Sequence, residues 1–211
     1  RYRITTPEIL HRHFFADSER NAVTKVTSRL VKHEYLRRHD LYTPRKYFTI
    51  GPKAARIVGI SPKHCAPLGP EALAREFGTL EFCLGGTTLR QRLLVREVND
   101  INPDLLARRI RSSYYYLDKH EETVRLGFIR VDFGSELNHL TRKLREDIDY
   151  RYEHEAFRPF IDEGRFLIAL VVAQKERKED VRAALRRDDW PVVFRIEVVS
   201  DLVHLIARIN R

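Results

Sequence analysis

Methionine is absent from the 211 residues, tryptophan occurs once and cysteine twice. A chain with no Met, initiator included, is expected to be a trimmed or processed portion of a longer protein. Cys65 and Cys83 stand far apart and lack the clustered spacing of a zinc site or a disulfide framework, so buried free thiols are expected. No apolar run approaches the roughly 20 residues of a membrane span, and the opening RYRITTPEIL has no apolar centre of the signal-peptide kind. A cytoplasmic protein without a membrane partner is therefore expected. There is no Gly-rich phosphate loop, Gly85-Gly86 alone being a turn signal, which leaves a nucleotide-driven motor unsupported. His139, His154 and His204 are scattered, with no HExxH pair and no companion cysteine, so neither a metal nor another cofactor is implied.

What is present is a folded composition, 43% hydrophobic and 33% charged, with its surplus charge confined to one place. Residues 1–65 carry 14 Lys+Arg against 5 Asp+Glu, whereas the rest carries 25 against 25, so the whole net charge of +9 belongs to the first third. A basic segment joined to a neutral one suggests a docking surface for a polyanion, because neutralised phosphates release their counterions.

The pattern within that third predicts three helices and a hairpin. Thr5-Thr6-Pro7-Glu8 reads as an N-cap followed by a helix-compatible proline, opening a helix over 6–15 with Ile9, Leu10, His13 and Phe14 on one face. Asp17-Ser18 reads as the cap of a short second helix. From about Asn21 a third begins, with Val23, Val26, Leu30 and Val31 at helical spacing. Its opposite face offers Asn21, Thr24, Lys25, Ser28, Arg29 and Lys32, residue types that contact phosphates and base edges. The stretches around Arg37-Arg38 and Arg45-Lys46 alternate as a two-stranded hairpin ended by Gly51-Pro52, and a short helix over 53–58 closes the unit. This is the pattern of a winged helix-turn-helix over residues 1–60, with Arg37, Arg38, Arg45 and Lys46 on the wing and the third helix placed for the major groove of double-stranded DNA.

Proline and glycine concentrate in 59–70, which predicts a linker over 61–70 and a second domain over 71–211. Within that domain, 70–77 reads as helical, 79–84 as extended, and further helices are expected from Thr88 and over 102–109. Tyr114-Tyr115-Tyr116-Leu117 and 124–131 flank a polar turn as a β-hairpin. Gly134-Ser135 opens a helix whose Leu137, Leu140, Leu144 and Ile148 share a face, with Lys143 and Arg145 beside it. The apolar run 166–172 suits a strand buried on both faces, followed by a helix over 179–187 and a strand over 192–199. The fold class expected is α+β and α/β: a winged helix followed by an α/β domain.

Taken together, TPEILHRHFF, TKVTSRLVKHEYLRR with KYFTIG, and LGFIRVDFGSELNHLTRKL followed by FLIALVV resemble the replication-relaxation family of plasmids and integrative elements. Members of that family join a winged helix to a domain related to PD-(D/E)XK nucleases. The resemblance is loose in the winged-helix part, which is generic, and more particular in the strand ending Val-Asp-Phe-Gly. It implies a comparison with the nuclease site, which needs an acid at a hairpin start, an Asp or Glu on the next strand and a Lys two residues on, to hold Mg²⁺ and activate water. Here Arg111-Ser112 falls near the first acid, Gly134 stands two residues after Asp132, and Arg130 occupies the place of a glutamate. The remaining route to catalysis is Asp118, Asp132 and Glu136 as metal ligands with Lys143 reaching in from the helix. Asp162 with Glu176-Arg177-Lys178 fits the formula on spacing, but lies in a charged stretch that reads as a solvated entry to the next helix.

The expectation is thus a degenerate nuclease fold and a non-catalytic, sequence-preferring DNA-binding protein serving replication, mobilisation or transcription. A homodimer is expected, with a relaxosome, replication or transcription protein as a further partner. A Mg²⁺-dependent endonuclease or transposition subunit and a protein-binding assembly adaptor are the alternatives. Arg108, Arg109, Arg111, Arg142 and Arg145 offer a second set of cations, whose neighbouring acids point to a solvated face.

Overall fold

The structure, a computed structural model, describes residues 1–86, 90–106, 114–120 and 123–209. Two units divide the chain. One comprises residues 2–85 together with 204–211, and the other comprises residue 1 together with 86–203.

In the first unit, α1 (Pro7–Phe14) starts at Thr6, whose hydroxyl accepts from the amide of Ile9, and α2 (Arg20–Lys32) follows. The short second helix expected after an Asp17-Ser18 cap does not form: Glu19 takes the N-cap position of α2, so the few residues between the helices form only a turn. Strand β1 (Leu36–Tyr42) pairs antiparallel with β2 (Arg45–Ile50), and Thr5 bridges Phe48 on the other side of β2. Helices α3 (Pro52–Ile57) and α4 (Pro70–Leu84) continue this unit, and the C-terminal part of α9 (Leu202–Ile209), from His204 on, also belongs to it.

Two expectations about this region are corrected. The stretch 79–84 is helical, because Leu73, Phe77, Leu80 and Leu84 continue one period through Gly78 and Thr79. The Pro/Gly-rich segment is no linker, since it is tied to the hairpin. Thr49 Oγ1 donates to the Cys65 carbonyl (3.1 Å) and the Leu68 amide donates to Tyr47 Oη (3.0 Å). The division accordingly falls between residues 85 and 86 and not at 61–70.

The second unit is built on a mixed sheet of order β3-β4-β5-β6-β7. Strands β3 (Arg90–Arg92), β4 (Tyr115–His120) and β5 (Thr123–Val131) form an antiparallel meander. Strand β6 (Phe166–Val172) runs parallel to β5, and β7 (Val193–Val198) parallel to β6. Such parallel neighbours need crossovers. Helices α6 (Leu137–Tyr152) and α7 (Arg158–Asp162) supply the first and α8 (Lys175–Leu185) the second. Where a helix from Thr88 was expected, β3 precedes α5 (Val95–Ile101), and the expected helix over 102–109 is a 3₁₀ turn at Pro103–Leu106, its remainder lying outside the described residues.

All seven residues of β6 are buried, as its unbroken apolar run requires. The core on one face joins Leu140, Leu144 and Ile148 of α6, Val181 of α8, Phe157 and Phe166. Arg151 is buried within it, its guanidinium 4.5 Å from the Phe128 ring centre and donating to Tyr115 Oη and the Asp147 carbonyl. A cation is tolerated there because aromatic faces and hydrogen bonds replace water. Both cysteines are buried free thiols. No helix among the described residues is long and apolar enough to cross a membrane.

Candidate nucleic-acid interface

The surplus charge follows the unit division. The first unit holds 16 Lys+Arg against 8 Asp+Glu, and the second 23 against 22. Within the first, α2 sorts its residues by face. Val23 and Thr27 are buried, Val26, Leu30 and Val31 half-buried, and the Thr27 hydroxyl donates to the Val23 carbonyl (2.8 Å) instead of facing water. On the other side Asn21, Thr24, Lys25, Ser28, Arg29 and Lys32 are all exposed. Their spacing of three or four residues makes one continuous stripe along a helix of roughly 20 Å. Lys25, Arg29 and Lys32 have no ion-pair partner among the described residues.

The hairpin is joined to the end of α2 by close backbone packing. Glu34 turns the chain with φ 63°, the Gly51 amide donates to the Tyr35 carbonyl (2.7 Å), and the Lys53 amide donates to the Glu34 carbonyl (3.1 Å). A Cβ on Gly51 would lie 2.2 Å from the Glu34 oxygen, so only glycine permits this approach.

The four hairpin cations divide into two kinds. Arg37 and Arg38 are exposed on β1, and Arg38 donates to Ser28 Oγ across to α2 (3.2 Å) while its guanidinium lies 6.0 Å from the Phe48 ring centre. Arg45, by contrast, is half-buried, 2.8 Å from the Glu8 carboxylate and bonded to Tyr42 Oη (2.9 Å). Lys46 is paired with Asp40, whose carboxyl it holds below the ordinary range. Carboxylates thus already neutralise two of the four expected wing contacts, a pairing invisible in sequence because Glu8 lies on α1. Beside this pair, Glu8, Arg12, Thr24 and Arg45 border a cleft of about 680 Å³.

The acids considered for metal binding are kept apart. Asp118 stands opposite Arg125 in the β4–β5 register, so seven residues separate its level from Asp132, roughly 23 Å at strand rise. Asp118 is fully buried and accepts from Arg195 Nη1 (2.8 Å), while Arg90 bridges to Glu197 alongside. Asp132 accepts from Arg177 Nε (2.6 Å) and from the Gly134 amide (3.1 Å). Glu136 is exposed at the N-cap of α6, and Lys143 is paired with Glu146 (2.7 Å). These four therefore do not converge, and no group of three or more His, Cys, Asp or Glu suited to a metal ion occurs among the described residues. Glu176, Arg177 and Lys178 lie in the first turns of α8, away from the solvated-loop expectation, with Arg177 serving as the counter-charge of Asp132. Arg108, Arg109 and Arg111 lie outside the described residues, whereas Arg142 and Arg145 have acidic neighbours in Glu146 and Asp188.

No protein family, curated protein or solved structure matches the chain.

Proposed function

We propose that the basic unit is a winged helix-turn-helix that binds duplex DNA, with α2 in the major groove and the β1–β2 hairpin against the backbone. The observation that carries this reading is the exposed stripe of Asn21, Thr24, Lys25, Ser28, Arg29 and Lys32, flanked by Arg37 and Arg38. Amide, hydroxyl and guanidinium groups alternate there with ammonium groups, so one surface combines base-edge hydrogen bonding with phosphate neutralisation. Every cation in it lacks a carboxylate partner among the described residues. The contacts proposed for Arg45 and Lys46 are secondary, since DNA must compete with Glu8 and Asp40 for them.

The mixed-sheet unit we read as a non-catalytic relative of the PD-(D/E)XK fold. Its antiparallel meander, helical crossover and parallel fourth strand support that reading. The pairing of Asp118 with Arg195 and of Asp132 with Arg177 opposes metal binding, because each carboxylate already has its counter-charge. A role in plasmid or mobile-element replication, mobilisation or transcription follows from the family resemblance, with the mixed-sheet unit serving dimerisation or docking.

The test is fluorescence anisotropy of the full chain with labelled duplexes over a salt series. Binding that weakens linearly in log K against log salt is expected, as counterion release demands. Supercoiled plasmid with Mg²⁺ or Mn²⁺ is expected to stay intact; nicking that disappears in Asp132→Ala would favour the endonuclease instead.

A further inference from the structure

The mixed sheet ends on two unlike edges. Strand β3 closes one with three residues, a length that blunts an edge against further pairing. Strand β7 closes the other with six, VFRIEV, in unbroken register with β6 and without a proline, lysine or bulge. Its backbone groups alternate in direction. The Val199 amide donates to the Val172 carbonyl (2.9 Å), so at the same period Val193, Arg195 and Glu197 turn their backbone groups to β6. Phe194, Ile196 and Val198 turn theirs away, and no described residue is hydrogen-bonded to them. Their side chains are half-buried, packed on the core with part of their apolar surface open. On the opposite face stand Arg195 and Glu197. Arg195 is paired with Asp118 and Glu197 with Arg90, yet the two side chains keep 24% and 34% of their surface exposed. A guanidinium has more donors, and a carboxylate more lone pairs, than these pairs use, so each group has room for a second partner.

We propose that β7 is a homodimer interface, pairing antiparallel with β7 of a second copy about a twofold axis through Ile196 and joining the two sheets into one. Such pairing rests on the reading of the mixed-sheet unit as the dimerisation unit and gives that unit its surface. In this register Ile196 meets Ile196 of the second copy and Phe194 meets Val198, so the backbone groups of all three outward residues find partners. Arg195 then stands directly opposite Glu197 of the second copy, and Glu197 opposite Arg195, in the closer, non-hydrogen-bonded pairs. Moving the axis to Arg195 or to Glu197 sets like charges opposite each other, which selects the Ile196 register. An isologous contact of this kind closes at two copies. The unit carrying β7 holds 23 Lys+Arg against 22 Asp+Glu, so its copies meet without strong like-charge repulsion.

The test is sedimentation velocity of the full chain without DNA, with two variants at the axis. Ile196→Pro removes the central outward amide and no bond to β6, so it should keep its circular dichroism spectrum while the dimer dissociation constant rises tenfold or more. Ile196→Cys reads the register. At the axis the two Cα atoms stand about 5.5 Å apart, within disulfide range, whereas those of exposed Val193 stand roughly 20 Å apart. Copper-phenanthroline oxidation should crosslink Ile196→Cys into a covalent dimer, but neither Val193→Cys nor the parent chain, whose own cysteines are buried. A dimeric parent with a folded, equally dimeric Ile196→Pro, or crosslinking of Val193→Cys as ready as that of Ile196→Cys, would overturn the β7 interface and leave dimerisation to another surface. Should Ile196→Pro not fold, the cysteine variants decide alone. A parent chain that stays monomeric at about 100 μM would overturn both the interface and the dimerisation reading, and would give the edge to an extended segment of another protein. The DNA reading is untouched by either result, because no duplex is present.

Discussion

Gly51 shows how a single position sets the geometry of the proposed interface. Its backbone rests against Glu34 at the end of α2, so Gly51→Ala must push the hairpin away from the helix. A loss of about 1–3 kcal/mol is expected, read as a lowered thermal midpoint, and an unchanged midpoint would contradict the packing described. Within the exposed stripe, roles separate by chemistry. Arg29→Ala should cost about 1–3 kcal/mol at one base pair and relax preference there. Arg37→Ala should weaken all sequences alike and reduce the salt slope by about one unit. Equal losses on every sequence for both variants would contradict that assignment.

His39 supplies a pH dependence at the same scale. Burial, and then the charge of Arg37, hold its imidazole below the ordinary value of 6.5. The unfolded chain therefore takes up this proton at a higher pH than the folded one. Its contribution to stability is complete above about 6.5 and is lost as the pH falls. Denaturant midpoints of His39→Gln should fall less between pH 7.5 and 5.5, by about the His39 contribution, than those of the parent chain. Parallel profiles would remove His39 from the account.

At the scale of the element, legibility in the sequence followed the strength of the local signal. Strand β6 carries seven consecutive apolar residues, and its bounds agree with those expected because nothing but a fully buried strand suits that run in this context. The stripe on α2 was legible for the same reason, one face being apolar at helical spacing and the other polar. Helix α4 was half missed, since Gly78 and Thr79 weaken local propensity while burial along Leu73, Phe77 and Leu80 overrides it. The pairs Arg45–Glu8, Arg177–Asp132 and Arg195–Asp118 were not legible at all, because each joins elements distant in sequence. The last of these gives a prediction for the sheet. Asp118→Ala leaves Arg195 without its buried counter-charge, while Arg90 keeps Glu197, and should destabilise by about 3–5 kcal/mol in denaturant unfolding. A change within about 0.5 kcal/mol would show the pair to be unimportant.

For the whole molecule, the Pro/Gly-rich segment misled because composition alone cannot distinguish a flexible linker from a loop fastened by Tyr47 and Thr49. The return of the chain's last residues to the first unit had no sequence signal either. Charge did better: the unit division leaves a surplus of eight positive charges on one side and one on the other. If the protein reads DNA as a homodimer, selected sites should contain half-sites about one helical turn apart or a multiple of it. The most direct measurement is the affinity of the full chain and of a Lys25→Ala, Arg29→Ala, Lys32→Ala variant for one duplex between 50 and 200 mM salt. A steep linear decline for the parent chain and a slope shallower by about two units for the variant, roughly one for each phosphate-contacting lysine, are predicted. Absence of binding, or parallel slopes for the two proteins, would contradict the claim that α2 meets the DNA.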